Sequence, residues 1–184
     1  MPCGKHPAGG PWFPVCCNGQ AMSWSQITVQ ESDFNLSEQY ELLRQKAGDA
    51  GAIVLFTGLV REVYSMEPDR KCQPATVQGL TLEHYPGMTE KCLQEIAQKA
   101  NSRWPLLATR IIHRIGMLVP SDQIVLVGTA SAHRSAAFDA AQFLMDYLKT
   151  RAPFWKKQQT LKGSHWVESR QSDSDTIKRW QLHD

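Results

Sequence analysis

The sequence has no apolar run approaching the roughly 20 residues that a membrane span requires. Its first stretch, MPCGKHPAGGPWFPVCC, lacks the apolar core of a signal peptide, so a cytoplasmic location is expected. Glycine-rich phosphate loops of the Walker or dinucleotide type are missing, as are HExxH and paired CxxC motifs. Serines lie near His133, but no nucleophile elbow surrounds them, and Ser131 or Ser135 reads better as a helix cap. Charge of one sign is scarce too. The formal net charge of +2 is too small to argue for nucleic acid by itself. The five cysteines, Cys3, Cys16, Cys17, Cys72 and Cys92, form an odd and irregular set. They offer neither a disulfide framework nor zinc spacing, so they read as reduced thiols. Cys3, His6, Cys16 and Cys17 make the one conceivable metal set, a weak one, and no metal or cofactor is expected. Internal repeats are absent.

What is present suits one globular domain with a real core. The chain has 184 residues, 42% of them hydrophobic. Residues 1–25, rich in Pro, Gly and Cys, read as an irregular extension, and 26–184 as the domain. Strands are expected at 26–29, at 51–60 with a bulge at Gly58, at 76–85, at 109–115, at 123–130 and at 165–169. Helices are expected at 37–47, stopped by Gly48, and at 89–103, where Thr89 caps a stripe of Cys92, Leu93, Ile96, Ala97 and Ala100. A short helix is expected at 173–180, and 62–74 reads as a polar loop. Two main helices that each return the chain to a sheet imply an α+β fold. Its mixed or antiparallel sheet would carry helices on one face.

The informative stretch is SAHRSAAFDAAQFLMDYLKTRAPFWKK, residues 131–157. Phe138, Ala141, Met145 and Leu148 recur at helical spacing, and Lys149 falls on the same face. Pro153 ends the helix near Arg151, leaving a basic aromatic loop with Lys156 and Lys157. At the helix start, unpaired backbone N–H groups favour an anion, and Arg134 beside His133 adds a bidentate donor. The chemical candidates are therefore cations: Arg61, His133, Arg134, Lys149, Lys156 and Arg170. Such a set binds and polarises an anionic or carbonyl-bearing substrate. A lysine held among apolar groups loses its proton more readily and can serve as acid, base or nucleophile, which singles out Lys149.

His133 and Lys149 are sixteen positions apart, roughly 24 Å along a helix at ~1.5 Å per residue. One small ligand cannot span that distance in one chain. Either the two ends serve different sites, or a two-fold dimer brings His133 and Arg134 of one subunit to Lys149 of the other. Two other readings are open. In the first, the chain is a binding module whose basic loop docks an acidic protein tail or RNA, with Phe154 and Trp155 as stacking residues. The other, phosphoryl transfer, is weakened by the missing phosphate loop and metal carboxylates.

The phrases GAIVLFTGLVR, LTLEHYPGMTEK, IIHRIGMLVPSDQIVLVG, SAHRSAAFDAAQFLMDYLKTRAPFWKK and WVESR, in this order, resemble the large, catalytic subunit of molybdopterin synthase. The resemblance runs from about Gly51 to Trp180. It implies an α/β-hammerhead-like fold and a sulfurtransferase of molybdenum cofactor biosynthesis. Such an enzyme converts cyclic pyranopterin monophosphate (precursor Z) into the dithiolene of molybdopterin. The sulfur arrives as a thiocarboxylate on the C-terminal Gly-Gly of a small ubiquitin-like subunit. The resemblance further implies a homodimer within a heterotetramer. By matching phrases it gives Lys149 and Lys156 catalytic roles, Arg61 a place in the pocket, and His133 and Arg134 the substrate phosphate. Arg170 joins the pocket from the second subunit, and Phe56 and Met145 form its walls. Residues 1–25 fall outside the resemblance, and the 62–76 loop is longer and less basic than the family pattern.

Overall fold

The computed structural model describes residues 23–64, 75–160, 163–167, 177 and 179–180. Two sheets and three long helices make up this α+β architecture, as the sequence leads one to expect. The first sheet contains β1 (Trp24–Gln30), β2 (Ala52–Leu59), and two strands numbered below by chain order, β5 (Leu106–Arg114) and β7 (Gln123–Ser131). Its order is β1-β5-β7-β2, with β1 parallel to β5 and the other pairs antiparallel, so it is mixed. The second sheet runs β3 (Val63–Tyr64), β4 (Ala75–His84), β8 (Phe154–Thr160), β9 (Gly163–Val167), and β6 (Gly116–Leu118) also pairs with β4.

The two main helices, α2 (Met88–Arg103) and α3 (Arg134–Arg151), share one face of the first sheet. There Leu93, Ile96, Ala97, Ala140, Phe143 and Leu144 pack on Ile111, Val125 and Val127. The helices do not keep to one face as expected, because the opposite face is covered by α1 (Leu36–Ala47). Leu43 and Ala47 of α1 pack on Ala108 and Ala130, and Phe34 just before it packs on Ile112 and Leu126. Alternation along β5 and β7 sends Ile111 and Val127 to one side and Ala108 and Ala130 to the other. This explains why both strands are almost wholly buried rather than alternating between buried and exposed. Each fully buried leucine or isoleucine of this double core contributes about 1.5–3 kcal/mol.

The local signals are mostly where the sequence put them. Asn35 caps α1, its side chain accepting from the Ser37 and Glu38 N–H groups at 2.9 and 3.4 Å. Gly48 ends that helix with a positive φ. The β2 register shifts between Gly58 and Leu59, as expected from a glycine within a strand. Strand β1 starts at Trp24, inside the expected extension; residues 1–22, with Cys3, Cys16 and Cys17, lie outside the described residues, as do Cys72 and residues 65–74 of the expected polar loop. Of the expected 173–180 helix, Ile177, Arg179 and Trp180 are described and helical.

Four expectations need correction. Residues 154–160 are not a loop but strand β8, hydrogen-bonded between β4 and β9. The lysines made this segment look like loop, yet it has no glycine or proline after Pro153, and its side chains alternate between the two faces of a sheet. Second, β6 forms within the 116–122 connection, against β4. Third, the N-cap of α2 is Gly87 rather than Thr89. Thr89 is buried and accepts the Tyr85 N–H, while Glu90 reaches back to the Gly87 N–H at 2.6 Å. Gly87 sits at φ 81°, a turn conformation that favours glycine.

The fourth correction concerns the apolar stripe of α3. Its buried residues are Ala136, Ala137, Ala140, Ala141, Phe143, Leu144 and Leu148. Phe138 is 63% exposed. A second buried residue type, Asp146, lies on the far side of the helix and is covered by the C-terminal segment. Its carboxylate accepts hydrogen bonds from Arg179, from Trp180 Nε1 at 2.8 Å and from Gln142 at 3.0 Å. Trp180 in turn packs edge-on against Trp104 and Phe143. The segment thus holds α3 from outside while the sheet holds it from inside, which fixes the position of both helix ends.

Candidate functional site

Both ends of α3 carry cations, and they differ in kind. At the N-terminal end, Gly51, Ala132, His133, Arg134 and Ser135 line an open cleft of about 520 Å³. His133 is the N-cap in an extended conformation and makes no side-chain cap bond, and the first turn contains no acid. The first-turn N–H groups therefore face the cleft without an acceptor from the helix itself. Neither Ser131 nor Ser135 caps the helix as expected. Ser131 is buried, donates to the Pro105 carbonyl at 3.0 Å and accepts the His133 N–H at 3.4 Å, so it braces the turn entering the helix. The cleft floor also requires Gly51, where a Cβ would stand 2.4 Å from the Ala132 carbonyl oxygen. His133, Arg134 and Ser135 are all exposed and open to a ligand.

The other end gathers Lys149, Arg151 and the start of β8. Helix α3 follows directly from β7, packs on β7 and β2, and so runs back along the sheet toward the Leu59 end of β2. That places Arg61, just past β2, toward the same end of the domain as Lys149. Val60 beside it is buried with Leu82 and Leu118, and Leu82 is the strand partner of Lys156. The end of α3 also meets the first turns of α2, where the Cys92 thiol donates to the Arg151 carbonyl at 3.4 Å. Burial pushes the Cys92 thiol upward from its ordinary value, with Glu95 acting in the same direction, so it remains protonated.

The placement of Lys149 differs from expectation. In the single chain it is exposed. The buried stripe centres on Leu144, and Lys149 lies about 140° around the helix from it, on a flank with Phe138 and Met145. The spacing of Phe138, Met145 and Lys149 is helical and genuine, but their common face is the margin of the core rather than its centre. Met145 is half-buried against the core cluster, and Phe56, on the sheet face that bears α3, is 41% exposed. The apolar walls expected around Lys149 are therefore only partly supplied by its own chain. Arg170 lies outside the described residues.

Two histidines at this end were not singled out from the sequence. His113 on β5 is buried and stacks on Phe154, with ring centroids 3.6 Å apart and planes at 11°. Its Nδ1 lies 2.8 Å from the Arg114 carbonyl oxygen, which can only accept, so Nδ1 carries the proton of a neutral ring. Burial lowers its pKa to about 4, against the Arg114 hydrogen bond, and Lys156 and His84 add to the lowering. His84, at the end of β4, lies 3.5 Å from Glu90. The one sequence signal for these residues was their place in the IIHRIG and LEHYPG phrases.

His113 makes stability depend on pH. Its folded value near 4 lies below the ordinary value of 6.5, so the unfolded chain binds more protons between the two. Stability is unaffected by this group above about pH 6.5. It falls as pH drops toward 4, by on the order of 3 kcal/mol in full. Urea denaturation from pH 7 to 4 is expected to show that loss, and His113→Gln is expected to lack this component of it. Equal pH slopes in the two proteins would assign the acid sensitivity elsewhere.

Comparison with known proteins bears on what the two ends serve. The family profile "MoaE protein" matches residues 29–151. The molybdopterin synthase catalytic subunit of Salmonella typhimurium is 53% identical over 159 residues, covering 86% of this chain and 100% of that protein. The chain belongs to the MoaE family. The solved structure of the molybdopterin biosynthesis MoaE protein of Burkholderia ambifaria is 43% identical, with a TM-score of 0.70 over 87% of this chain and 99% of its own. The X-ray structure of molybdopterin synthase from Staphylococcus aureus is 32% identical, with a TM-score of 0.65 over 76% and 95%. The MoaE match covers β2, α2, β5, β7 and α3, and hence Phe56, Arg61, His133, Arg134, Met145 and Lys149. Lys156 lies five residues past its end but within the longer alignments to whole relatives, which cover nearly all of those proteins. Among the described residues no helix is long and apolar enough to cross a membrane.

Proposed function

We propose that this MoaE protein is the catalytic subunit of a molybdopterin synthase. It transfers sulfur from the C-terminal thiocarboxylate of a small ubiquitin-like subunit to precursor Z, forming the molybdopterin dithiolene. The observation that carries the reading is the division of cations between the two ends of α3. His133 and Arg134 at an open helix N-terminus suit the substrate phosphate. Lys149, Lys156 and Arg61 at the other end suit the carbon under attack and the anionic tail that delivers sulfur. Because α3 is helical throughout 134–151, the two groups stand roughly 24 Å apart along its axis at ~1.5 Å per residue. Each active site is then assembled across a homodimer, with the phosphate cleft of one protomer facing the lysines of the other. Phe138, Phe56 and Met145 become covered there, Arg170 enters from the second protomer, and Lys149 acquires its apolar walls on assembly. One small subunit docks at each end, giving a heterotetramer that works in the cytoplasm, with no metal in the sulfur-transfer step. Residues 26–184 form the catalytic domain, and residues 1–25 stand apart from it.

The competing reading, a docking module for an acidic tail or RNA, gains one point from the exposed Lys149. It leaves the cleft at His133 and Arg134 without a purpose. The test is direct: the purified chain, a thiocarboxylated small subunit and precursor Z, with dithiolene product measured. Arg134→Ala is expected to raise KM for precursor Z about 10- to 100-fold, the value of one charge-assisted hydrogen bond of ~1.5–3 kcal/mol. Should turnover fall while binding of precursor Z is intact, the phosphate does not sit at Arg134.

A further inference from the structure

Beside the lysines is a second titratable group that the reading above leaves unused. Strands β4 and β8 pair antiparallel, with His84 opposite Phe154 and Leu82 opposite Lys156. Residues opposite each other, and those two apart on one strand, share a face, so His84 and Lys156 are diagonal neighbours on one side of the sheet. Such diagonal pairs lie about 7–8 Å apart at the backbone, within reach of long side chains. Phe154, opposite His84, stacks on the buried His113 ring, so His84 and Lys156 share the sheet face that meets β5. His84 is largely enclosed but not sealed, with 13% of its side chain exposed.

Its orientation is built. The turn at Pro86-Gly87 leads into α2, and Glu90 in the first turn faces back, accepting the Gly87 N–H with one oxygen. The other oxygen lies 3.5 Å from His84 Nε2. A carboxylate attracts the N–H form of the nitrogen it faces, so a second proton on this ring is carried at Nδ1. The groups facing His84 are thus Glu90 from α2, Lys156 from β8 and His113 from β5. His113 is neutral and committed to Arg114, so it is not the proton carrier.

We propose that His84, held by Glu90, carries the proton that sulfur-for-oxygen exchange requires at the Lys156 side of the site. The inference rests on the sulfur-transfer reading. As the thiocarboxylate sulfur forms its bond to the pterin side-chain carbon, the carbon–oxygen bond breaks and its electron pair leaves with oxygen. The His84 imidazolium gives its Nδ1 proton to that oxygen, and the N–H electron pair returns to the ring. Solvent then restores the proton.

The experiment uses the complete enzyme with thiocarboxylated small subunit and precursor Z. His84→Gln keeps an amide toward Glu90 but cannot titrate. It is expected to lower kcat about 100-fold or more, with KM near wild type and one limb of the kcat–pH profile gone. His84→Ala is expected to regain turnover when free imidazole is added, a response that a structural defect would not show. Melting curves for both variants report folding. Wild-type kcat and pH profile in His84→Gln would overturn the proposal. So would a loss of turnover that leaves the pH limb in place and is not rescued by imidazole. If the wild-type enzyme itself forms no dithiolene, the sulfur-transfer reading fails, and that result is distinct from either.

Discussion

Lys149→Ala is expected to remove turnover of precursor Z almost entirely, by about 1,000-fold or more, while the protein folds and binds its small subunit normally. Lys149 is exposed in the last turn of α3, away from the stripe centred on Leu144, so its truncation opens no cavity in the chain. Surface changes of this kind alter stability by about 0.5 kcal/mol or less. The argument for lost chemistry rests on what remains once the amine is gone. Arg61 offers a guanidinium, a hydrogen-bond donor with no acceptor, which cannot replace an amine nucleophile or base. Lys156 is on another element, fixed in register opposite Leu82, and does not take the place of a helix residue. An amine that forms an adduct and one that shuttles protons both leave a gap that the neighbours do not fill. Single-turnover product formation under saturating precursor Z separates chemistry from binding. Full turnover in Lys149→Ala would sink the catalytic assignment.

What the sequence revealed of this site, and what it hid, follows from the range of each signal. Helical spacing is local, so α3 and its stop before Pro153 were legible, as were the bulge at Gly58 and the helix stop at Gly48. Which flank of α3 meets the sheet is decided by neighbours far away in the chain. Phe138 therefore looked like core, while the alanines that actually allow close packing on β7 and β2 gave little signal. Strand β8 was hidden because its lysines describe one exposed position and its partners in β4 lie 70 or more residues earlier. The enclosure of Asp146 could not be anticipated at all, since it depends on Arg179 and Trp180 arriving from the C-terminal segment. His84 and His113 are brought together only by the pairing of β4 with β8 and the stacking of Phe154 on β5. The separation of the two groups of cations, by contrast, was readable in advance, because sixteen positions of helix set a length that no folding of the rest of the chain changes.

That same length leads to the sharpest expectation for the assembly. Mixing Lys149→Ala with Arg134→Ala, the first inactive and the second severely impaired at precursor Z well below its raised KM, is expected to restore activity at that low substrate level. In a two-fold dimer a hybrid carries one site that takes Arg134 from the first protomer and Lys149 from the second, both intact. Its other site carries both defects. Random re-pairing makes half of the dimers hybrid, and half of their sites are sound, so recovery approaches about one quarter of wild-type activity. A site contained within one chain gives a different result, because every site in every mixture then holds one defect and activity stays at the level of the single variants. The structure favours the first outcome on two grounds that do not depend on each other. The cleft at His133 and the lysine end are separated by the full extent of α3, which the sheet and the Asp146 anchor hold at a fixed position. The flank bearing Phe138, Met145 and Lys149 also leaves apolar surface uncovered in the single chain, as does Phe56 nearby on β2, and a second protomer is what would cover it. Subunit exchange must be allowed before the assay, by mild denaturation and refolding of the mixture, and confirmed with a tagged protomer. Confirmed hybrids without recovered activity would place the phosphate and the amine in separate sites and end the shared-site account.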